Sequence, residues 1–445
     1  MTPRAHPGDD RPAGRRADIF ADRFPSLPLS PLDHPYPIMH RLLLLLALLA
    51  LVPAARAQEL LIPMDNRQAD HLKAYGVAFW TLQQGQDVDW LLNYRGGSFT
   101  TPSFPELERE LKIRGVHYER IGGGDLARII AEVESESSNM AVVRLEKAPR
   151  VAVYAPDQTL PWDDAVLLAL TYAEVPYDMI YDEEVLDGKL ADYDWLHLHH
   201  EDFTGQYGKF IQYRNMPWYI EQQRDAEQTA RARGFRKVSQ LKLAVAQTIR
   251  QYVTEGGFLF AMCSGTDIVP AEYDGDPVDP DALQKLDYEQ TLAFEDFRPI
   301  FNPSEYEHSD IDVGPPPGPL RNPALDYFTL FEFSAKWDPV PTMLTQDHVA
   351  TIKGFIGQTT SFRKSLIKPG ITILAEAPGR DEVKYLHGNM GQGFFTFYGG
   401  HDPEDYQHFV GDPPTDLSLH KNSPGYRLIL NNILFPAARK QKQKT

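Results

Sequence analysis

Apolar positions in this chain are grouped in two ways. From about residue 150 onward, short apolar runs alternate with longer amphipathic stretches. Val151-Ala152-Val153-Tyr154, Tyr177–Tyr181, Tyr193–His199, Phe258–Met262, Ile371–Glu376 and Gly393–Tyr398 read as strands. Asp163–Ala173, Val238–Thr254 and Tyr426–Leu434 read as helices, the second strongly amphipathic and leading directly into the strand at Phe258. Such alternation predicts an α/β fold, a mainly parallel sheet with helices on both faces. Residues 58–149 read instead as a small α+β domain. There Tyr75–Leu82 and Asp87–Tyr94 are predicted strands, Arg95-Gly96-Gly97-Ser98 a turn, and Val116–Glu119 a short strand. Glu106–Arg114 and Asp125–Val133 are predicted helices, with Asp125 as N-cap of the second.

Two kinds of segment break the pattern. Residues 271–345 interrupt the alternation and read as an acidic insertion or lid. Ala271–Asp281 is loop-like, and Val313–Pro323 contains Gly-Pro-Pro-Pro-Gly-Pro, which admits no regular structure. Gly391-Gln392-Gly393 reads as a hairpin turn. Gly122-Gly123-Gly124-Asp125 lacks the Lys-Ser/Thr of a phosphate loop. At the other extreme, Leu42–Ala55 is almost wholly apolar, follows Met39-His40-Arg41 and ends in Ala55-Arg56-Ala57. That is the layout of a signal peptide over 39–57, and it predicts a secreted or periplasmic protein with no membrane span after cleavage. Residues 1–38 have no apolar periodicity; they are expected to be disordered, with translation starting at Met39. The α/β domain is expected to run over 150–437, and the basic residues of 438–445 form a solvated tail.

Charge narrows the partners. The 445 residues carry a formal net charge of −18. Residues 1–57 hold seven Arg and five Asp, so the remainder stands at −20. An acidic surface and the lack of a basic stripe argue against nucleic acid as partner. The chain has one cysteine, so no intramolecular disulfide is available and the core alone holds the fold.

That cysteine, Cys263, is the leading candidate for chemistry. It ends the apolar run Phe258–Met262 and is followed by Ser264-Gly265. A side chain at such a strand-to-turn junction stands at the C-terminal edge of a parallel sheet, where ligands bind. The bland reading is a buried thiol on a tight turn. A thiol needs a base to act as nucleophile. His401 also follows an apolar strand and has Asp402, Glu404 and Asp405 beside it. In this arrangement His401 is the base and a carboxylate orients it.

These residues resemble the class I glutamine amidotransferase-like superfamily. Its cysteine sits in G-x-C-x-G, and a His-Pro-Glu triplet ends a later strand; here the segments read Ala261-Met262-Cys263-Ser264-Gly265 and His401-Asp402-Pro403-Glu404. The resemblance implies a flavodoxin-like sheet over roughly 150–437, with Cys263 as nucleophile and His401 as base. Glu404 is the closer match to the family's carboxylate and Asp402 the alternative. It also implies an oxyanion site from backbone N–H groups at Ser264, Gly265 and Ala155, and a small-molecule or peptide amide as substrate. Within this group the chain resembles exported bacterial proteins labelled asparagine synthetase B. The shared stretches are His71–Gly76, Asp89–Gly97 and Gly399–Tyr406. Asparagine synthetase B enzymes themselves carry a catalytic cysteine after the initiator Met and an S-G-G-x-D-S loop for ATP pyrophosphate. Here Thr2 follows Met1, and Ser264-Gly265-Thr266-Asp267-Ile268 lacks the second Gly and final Ser.

A second constellation is His197-Leu198-His199-His200-Glu201-Asp202. In a strand His197 and His199 share a face. With His308 or His401 they form a candidate Zn²⁺ set; otherwise His199, His200 and Glu201 line the cleft. Asp274–Asp281 lacks EF-hand spacing and reads as a solvated loop. Tyr207, Phe210, Tyr213, Trp218 and Tyr219 wall a cleft or belong to the core. Two alternatives stand beside the cysteine amidohydrolase: a non-catalytic module that binds an envelope ligand, such as a carbohydrate, on a degenerate site, and a metal-dependent hydrolase that uses the His197/His199 cluster.

Overall fold

A computed structural model describes residues 58–156, 163–199, 215–262, 327–353, 362–364, 367, 369–379, 382–405 and 412–438. The signal-like segment, Cys263-Ser264-Gly265, His200, Glu201, His308, Ala271–Asp281, Val313–Pro323 and residues 439–445 lie outside them.

The first part of the chain folds as β1 (Glu59–Ile62), α1 (His71–Gln83), β2 (Val88–Leu92), β3 (Ser98–Pro102), α2 (Pro105–Ile113), β4 (Glu119–Ile121), α3 (Gly123–Val133) and β5 (Ala141–Leu145). Its strands form an antiparallel sheet in the order β4-β1-β3-β2-β5. The predicted strand at Tyr75–Leu82 is instead the body of α1. The Asp70 side chain caps this helix, accepting from the Lys73 N–H at 2.9 Å. Most of α1 is buried, so its sequence is apolar all round and shows no helical period. The strand expected at Val116 begins only at Glu119. The Val116 N–H is taken by the Leu111 carbonyl and that of His117 by Gln68 Oε1, which leaves neither for a ladder. Helix α3 is capped by Gly122, and Asp125 lies in its first turn, where a carboxylate meets the positive end of the helix.

The second part continues with β6 (Val151–Tyr154), α4 (Ala165–Ala173), β7 (Asp178–Ile180), α5 (Asp182–Leu186), β8 (Trp195–Leu198), α6 (Pro217–Ala232), α7 (Val238–Thr254) and β9 (Phe258–Met262). Then come β10 (Tyr327–Leu330), α8 (Pro339–Leu344), β11 (Thr351–Lys353), β12 (Phe362–Arg363), β13 (Thr372–Glu376), β14 (Glu382–Met390), β15 (Gly393–Tyr398) and α9 (Pro424–Leu434). The larger sheet runs β11-β10-β13-β14-β15-β9-β8-β6-β7, with β12 paired to β14. The α/β reading stands, but the sheet is mixed rather than mainly parallel. Strands β7, β6, β8, β9 and β15 are parallel; β14, β13, β10 and β11 extend the sheet antiparallel. The segment expected to interrupt the alternation up to 345 ends earlier, since Tyr327–Leu330 pairs with both β11 and β13. The hairpin at Gly391-Gln392-Gly393 joins β14 to β15 as expected.

Counted in chain order, the five parallel strands lie second, first, third, fourth, fifth. The order reverses between β6 and β8, and such a reversal opens a crevice beyond the carboxyl ends of the strands. Helices cover both faces. One hydrophobic cluster joins α1, α4 and α9 and also takes in the small sheet, through Trp90 and Phe99, so the two sheets share a core. A second cluster packs α6 and α7 on the other face. On that face Lys242 is buried and ion-paired with Asp182 at 2.9 Å, and it donates to the hydroxyls of Tyr154 (2.8 Å) and Tyr181 (2.9 Å).

Buried polar contacts fasten the shared core, and Arg427 makes three of them. Arg427 of α9 is fully buried and donates to the Met64 carbonyl (3.0 Å), the Gly96 carbonyl and the Tyr75 hydroxyl (3.2 Å). Removing the guanidinium leaves two buried carbonyls unpaired, each costing about 1–3 kcal/mol. Arg427→Met is therefore expected to lower unfolding free energy by about 2–5 kcal/mol, read from urea denaturation, whereas a surface Arg128→Met stays within about 0.5 kcal/mol. Burial also holds two histidines neutral, His71 down to about 3 and His387 down to about 4, from an ordinary 6.5. Between those values the unfolded chain binds more protons than the folded one. Their contribution thus falls as pH drops from about 6.5 towards about 4. His387→Gln should flatten that acid limb of a stability-against-pH curve.

Candidate functional site

The carboxyl ends of four parallel strands lie level. Tyr154 is in register with Leu198, Leu198 with Ala261, and Met262 with Tyr398. Beyond Tyr398 the chain runs Gly399-Gly400-His401-Asp402. Gly400 has φ 127°, a conformation an L side chain rarely adopts, and this bend turns the chain away from the strand. It leaves His401 and Asp402 buried, at 3% and 2% exposure. A close approach fixes the turn on α9, because a Cβ on Gly425 would lie 2.3 Å from the Pro403 Cβ.

Asp402 holds this turn together. Its Oδ1 accepts the backbone N–H groups of Glu404 (2.8 Å) and Asp405 (3.2 Å), and its Oδ2 accepts the Tyr426 hydroxyl at 2.5 Å. Burial pushes the Asp402 carboxyl above its ordinary range, opposed by the bonds from Tyr426 and Glu404. Burial and Asp402 also hold the Tyr426 hydroxyl well above the usual tyrosine range. Glu404, the other candidate carboxylate, has Oε2 3.2 Å from His420 Nδ1. Each candidate carboxylate thus has a defined partner other than His401.

The histidines in and just after β8 divide. His197 is wholly buried. Its Nε2 lies 3.0 Å from Asp164 Oδ2 and 3.1 Å from Oδ1, and its Nδ1 lies 3.2 Å from the Phe260 carbonyl oxygen. Both ring nitrogens face acceptors inside the protein, so neither presents a lone pair to a metal ion. Asp164 is the N-cap of α4, accepting the Val166 and Leu167 N–H groups at 2.9 Å each. The pair ties β8, β9 and α4 together directly beneath the strand ends. His199 is buried, and its N–H donates to the Tyr154 carbonyl at 3.1 Å. No group of three or more metal-ligating side chains occurs among the described residues. The Ala155 N–H, expected as an oxyanion donor, is committed to the Ile180 carbonyl at 3.1 Å, because the β6–β7 pairing runs one residue further than the strand itself. Trp218 and Tyr219 lie in the first turn of α6.

Sequence reasoning missed Asp164 and Tyr426 as parts of this region. The signal for Asp164 was present, since an acid directly before an apolar helical run is a capping pattern. Tyr426 carried no signal, because its role depends on a contact with a residue distant in sequence.

No family model and no curated protein matches the chain. Among solved structures it is similar to "Cytoplasmic Protein STM1381 from Salmonella typhimurium LT2", at 12% identity over 65% of this chain and 99% of that one, TM-score 0.34. It is similar to "Cytoplasmic Protein STM3548 from Salmonella typhimurium" at 13% identity, covering 65% and 100%, TM-score 0.33. It is also similar to a beta-galactosidase from Bacillus circulans sp. alkalophilus at 12% identity, covering 59% and 30%, TM-score 0.29. At such TM-scores these likenesses carry no argument about function. Among the described residues no helix is long and apolar enough to cross a membrane.

Asp164→Ala removes a helix cap and strands one nitrogen of a buried imidazole. It is expected to cost about 2–4 kcal/mol in urea denaturation, with Asp164→Asn, which keeps the cap oxygen, costing less than half of that.

Proposed function

We propose that the five parallel strands form a flavodoxin-like sheet of the class I glutamine amidotransferase-like kind, and that the chain is an exported, cysteine-dependent amidohydrolase. The observation that carries this reading is the pairing of Met262 with Tyr398. Cys263 directly follows one of these residues in sequence, and His401 follows the other by three. Nucleophile and base thus come from the carboxyl ends of the neighbouring parallel strands β9 and β15, on the same edge of the sheet as the crevice at β6 and β8, with β8 between that crevice and β9.

In this reading the Cys263 thiol gives its proton to His401, and the thiolate attacks an amide carbon. Backbone N–H groups at Ser264 and Gly265 face the developing oxyanion. The C–N bond breaks, and the amine leaves with the proton from His401. Water, deprotonated by His401, then opens the thioester to the free acid and restores the thiol. His199, His200 and Glu201, at the end of the next parallel strand, contact the substrate. Glu404 or Asp402 supplies the carboxylate behind His401. The substrate is a small-molecule or peptide amide, and hydrolysis rather than ammonia transfer is the outcome.

A second reading, a non-catalytic module for an envelope ligand, is favoured by one observation. Asp402 is spent on two backbone N–H groups and Tyr426, and Glu404 faces His420. The zinc reading is disfavoured by the engagement of both His197 ring nitrogens.

Alkylation by iodoacetamide separates the two, because the chain has a single cysteine. For the amidohydrolase, the rate against pH gives a thiolate titrating well below the free value of about 8.5, and His401→Gln returns it towards that value. A thiol titrating at or above about 8.5, unmoved by His401→Gln, overturns the catalytic reading. Cys263→Ser is expected to abolish amidase activity with the thermal midpoint unchanged.

A further inference from the structure

Among the exposed large apolar side chains of the described surface, Trp337 stands at an open, polar depression far in sequence from the strand ends. Trp337 is 78% exposed. It lies in the turn between β10 and α8, where the Trp337 and Asp338 N–H groups donate to the Ser334 carbonyl at 3.2 and 2.7 Å. The turn is fixed to the α3–β5 connection by Asn139. Its Nδ2 donates to Glu332 Oε1 (3.1 Å) and to the Phe333 carbonyl (3.0 Å), and its Oδ1 accepts the Ala335 N–H (2.9 Å). Lys336 donates to the Ser135 carbonyl from the same side. Between the two segments lies an open cleft of about 470 Å³, lined by Trp337, Phe333, Glu332, Glu136, Ser137 and Lys336.

These features combine in one chemistry. An indole held in water by a rigid turn forgoes burial worth about 1.5–3 kcal/mol, as for other large apolar side chains. The indole offers a flat apolar face. Around it, the Glu136 carboxylate, the second oxygen of Glu332 and the Lys336 N–H groups not directed at Ser135 remain for hydrogen bonds. A flat apolar face ringed by hydrogen-bonding groups matches a sugar ring, whose C–H face stacks on an aromatic and whose hydroxyls bond to carboxylates. A bilayer surface fits poorly, since Glu136 and Glu332 on a chain of net charge −18 repel anionic headgroups. Two carboxylates against the single Lys336 ammonium leave the lining net negative, which disfavours acidic sugars. Because the connection is pre-ordered by Asn139, little ordering entropy opposes binding.

We propose that the Trp337 cleft is a binding site for a neutral oligosaccharide. It uses neither Cys263 nor His401 and is independent of whether these two residues are catalytic.

The test titrates the full chain with cellohexaose, maltohexaose, the hexamer of N-acetylglucosamine and, as acidic comparison, oligogalacturonate, following intrinsic fluorescence and calorimetric heat. At least one neutral hexamer is expected to bind with at least tenfold preference over oligogalacturonate. Trp337→Ala should weaken it at least tenfold with the thermal midpoint unchanged, Trp337→Tyr should retain most of the affinity, and Glu332→Gln should weaken it several-fold. Cys263→Ser should bind as the parent does, which keeps this result apart from the fate of the amidohydrolase reading. Absence of binding by all three neutral hexamers at millimolar concentration overturns the proposal, and so does equal binding by Trp337→Ala. Self-association of the parent in sedimentation, lost in Trp337→Ala without any sugar response, would make the surface a protein contact and also overturns it.

Discussion

A buried cation holds the small sheet to the last helix. Arg427 takes the carbonyls of Met64 and Gly96, the first after β1 and the second in the bend between β2 and β3, and holds them against the last helix. Around it the bonds continue. Tyr75 donates to Asn431, Asn431 donates to the carbonyls of Leu344 and Gln346, and the Gln346 side chain pairs with Asn93. Each buried polar group finds a partner from a different part of the chain, so the network is stable only when complete. Its result is geometric: the small sheet cannot drift from α9, and α9 carries Gly425 and Tyr426, which seat the His401 turn.

The candidate centre therefore stands on a layered support. Tyr426 and the Gly425–Pro403 contact hold the Asp402 turn from one side, and Asp164 with His197 locks α4 to β8 and β9 from below. Lys242 and Asp182 do the same on the other face, beside Tyr154. All three supports use buried polar groups close to the carboxyl ends of the parallel strands. Buried polar contacts are directional where apolar packing is not, and they set the positions of strand ends to within a hydrogen-bond length.

Much of this was legible in the chain, and the losses have physical causes. Helix 238–254 and the strands 258–262 and 393–398 lie where their apolar patterns put them, because an amphipathic helix and short apolar runs closed by small residues leave strong periodic signals. Helix α1 was misread because burial on most sides erases the helical period. Strand β14 went unread because the sheet is covered on both faces, which removes in-and-out alternation; Val383, Lys384, Tyr385 and Leu386 are all buried. Of the site, the positions of His401 and of the strand ends were readable from local pattern. The partners of Asp402, Glu404 and His197 were not, since each is fixed by a contact between segments that the sequence holds apart.

The Arg427 fastening also sets an order of events during synthesis. The carbonyls it satisfies belong to residues 64 and 96, so they emerge from the ribosome hundreds of residues before their donor does. The small sheet has its strands early, yet its bonds to the rest of the core wait for α9. A similar delay applies to β5, whose following residue Glu146 donates its N–H to the carbonyl of Ala437. Contacts of such sequence separation are slow to form. Until the last helix emerges, the nascent chain exposes the apolar face of α1 that α9 will cover, a surface on which an unfinished chain is prone to aggregate.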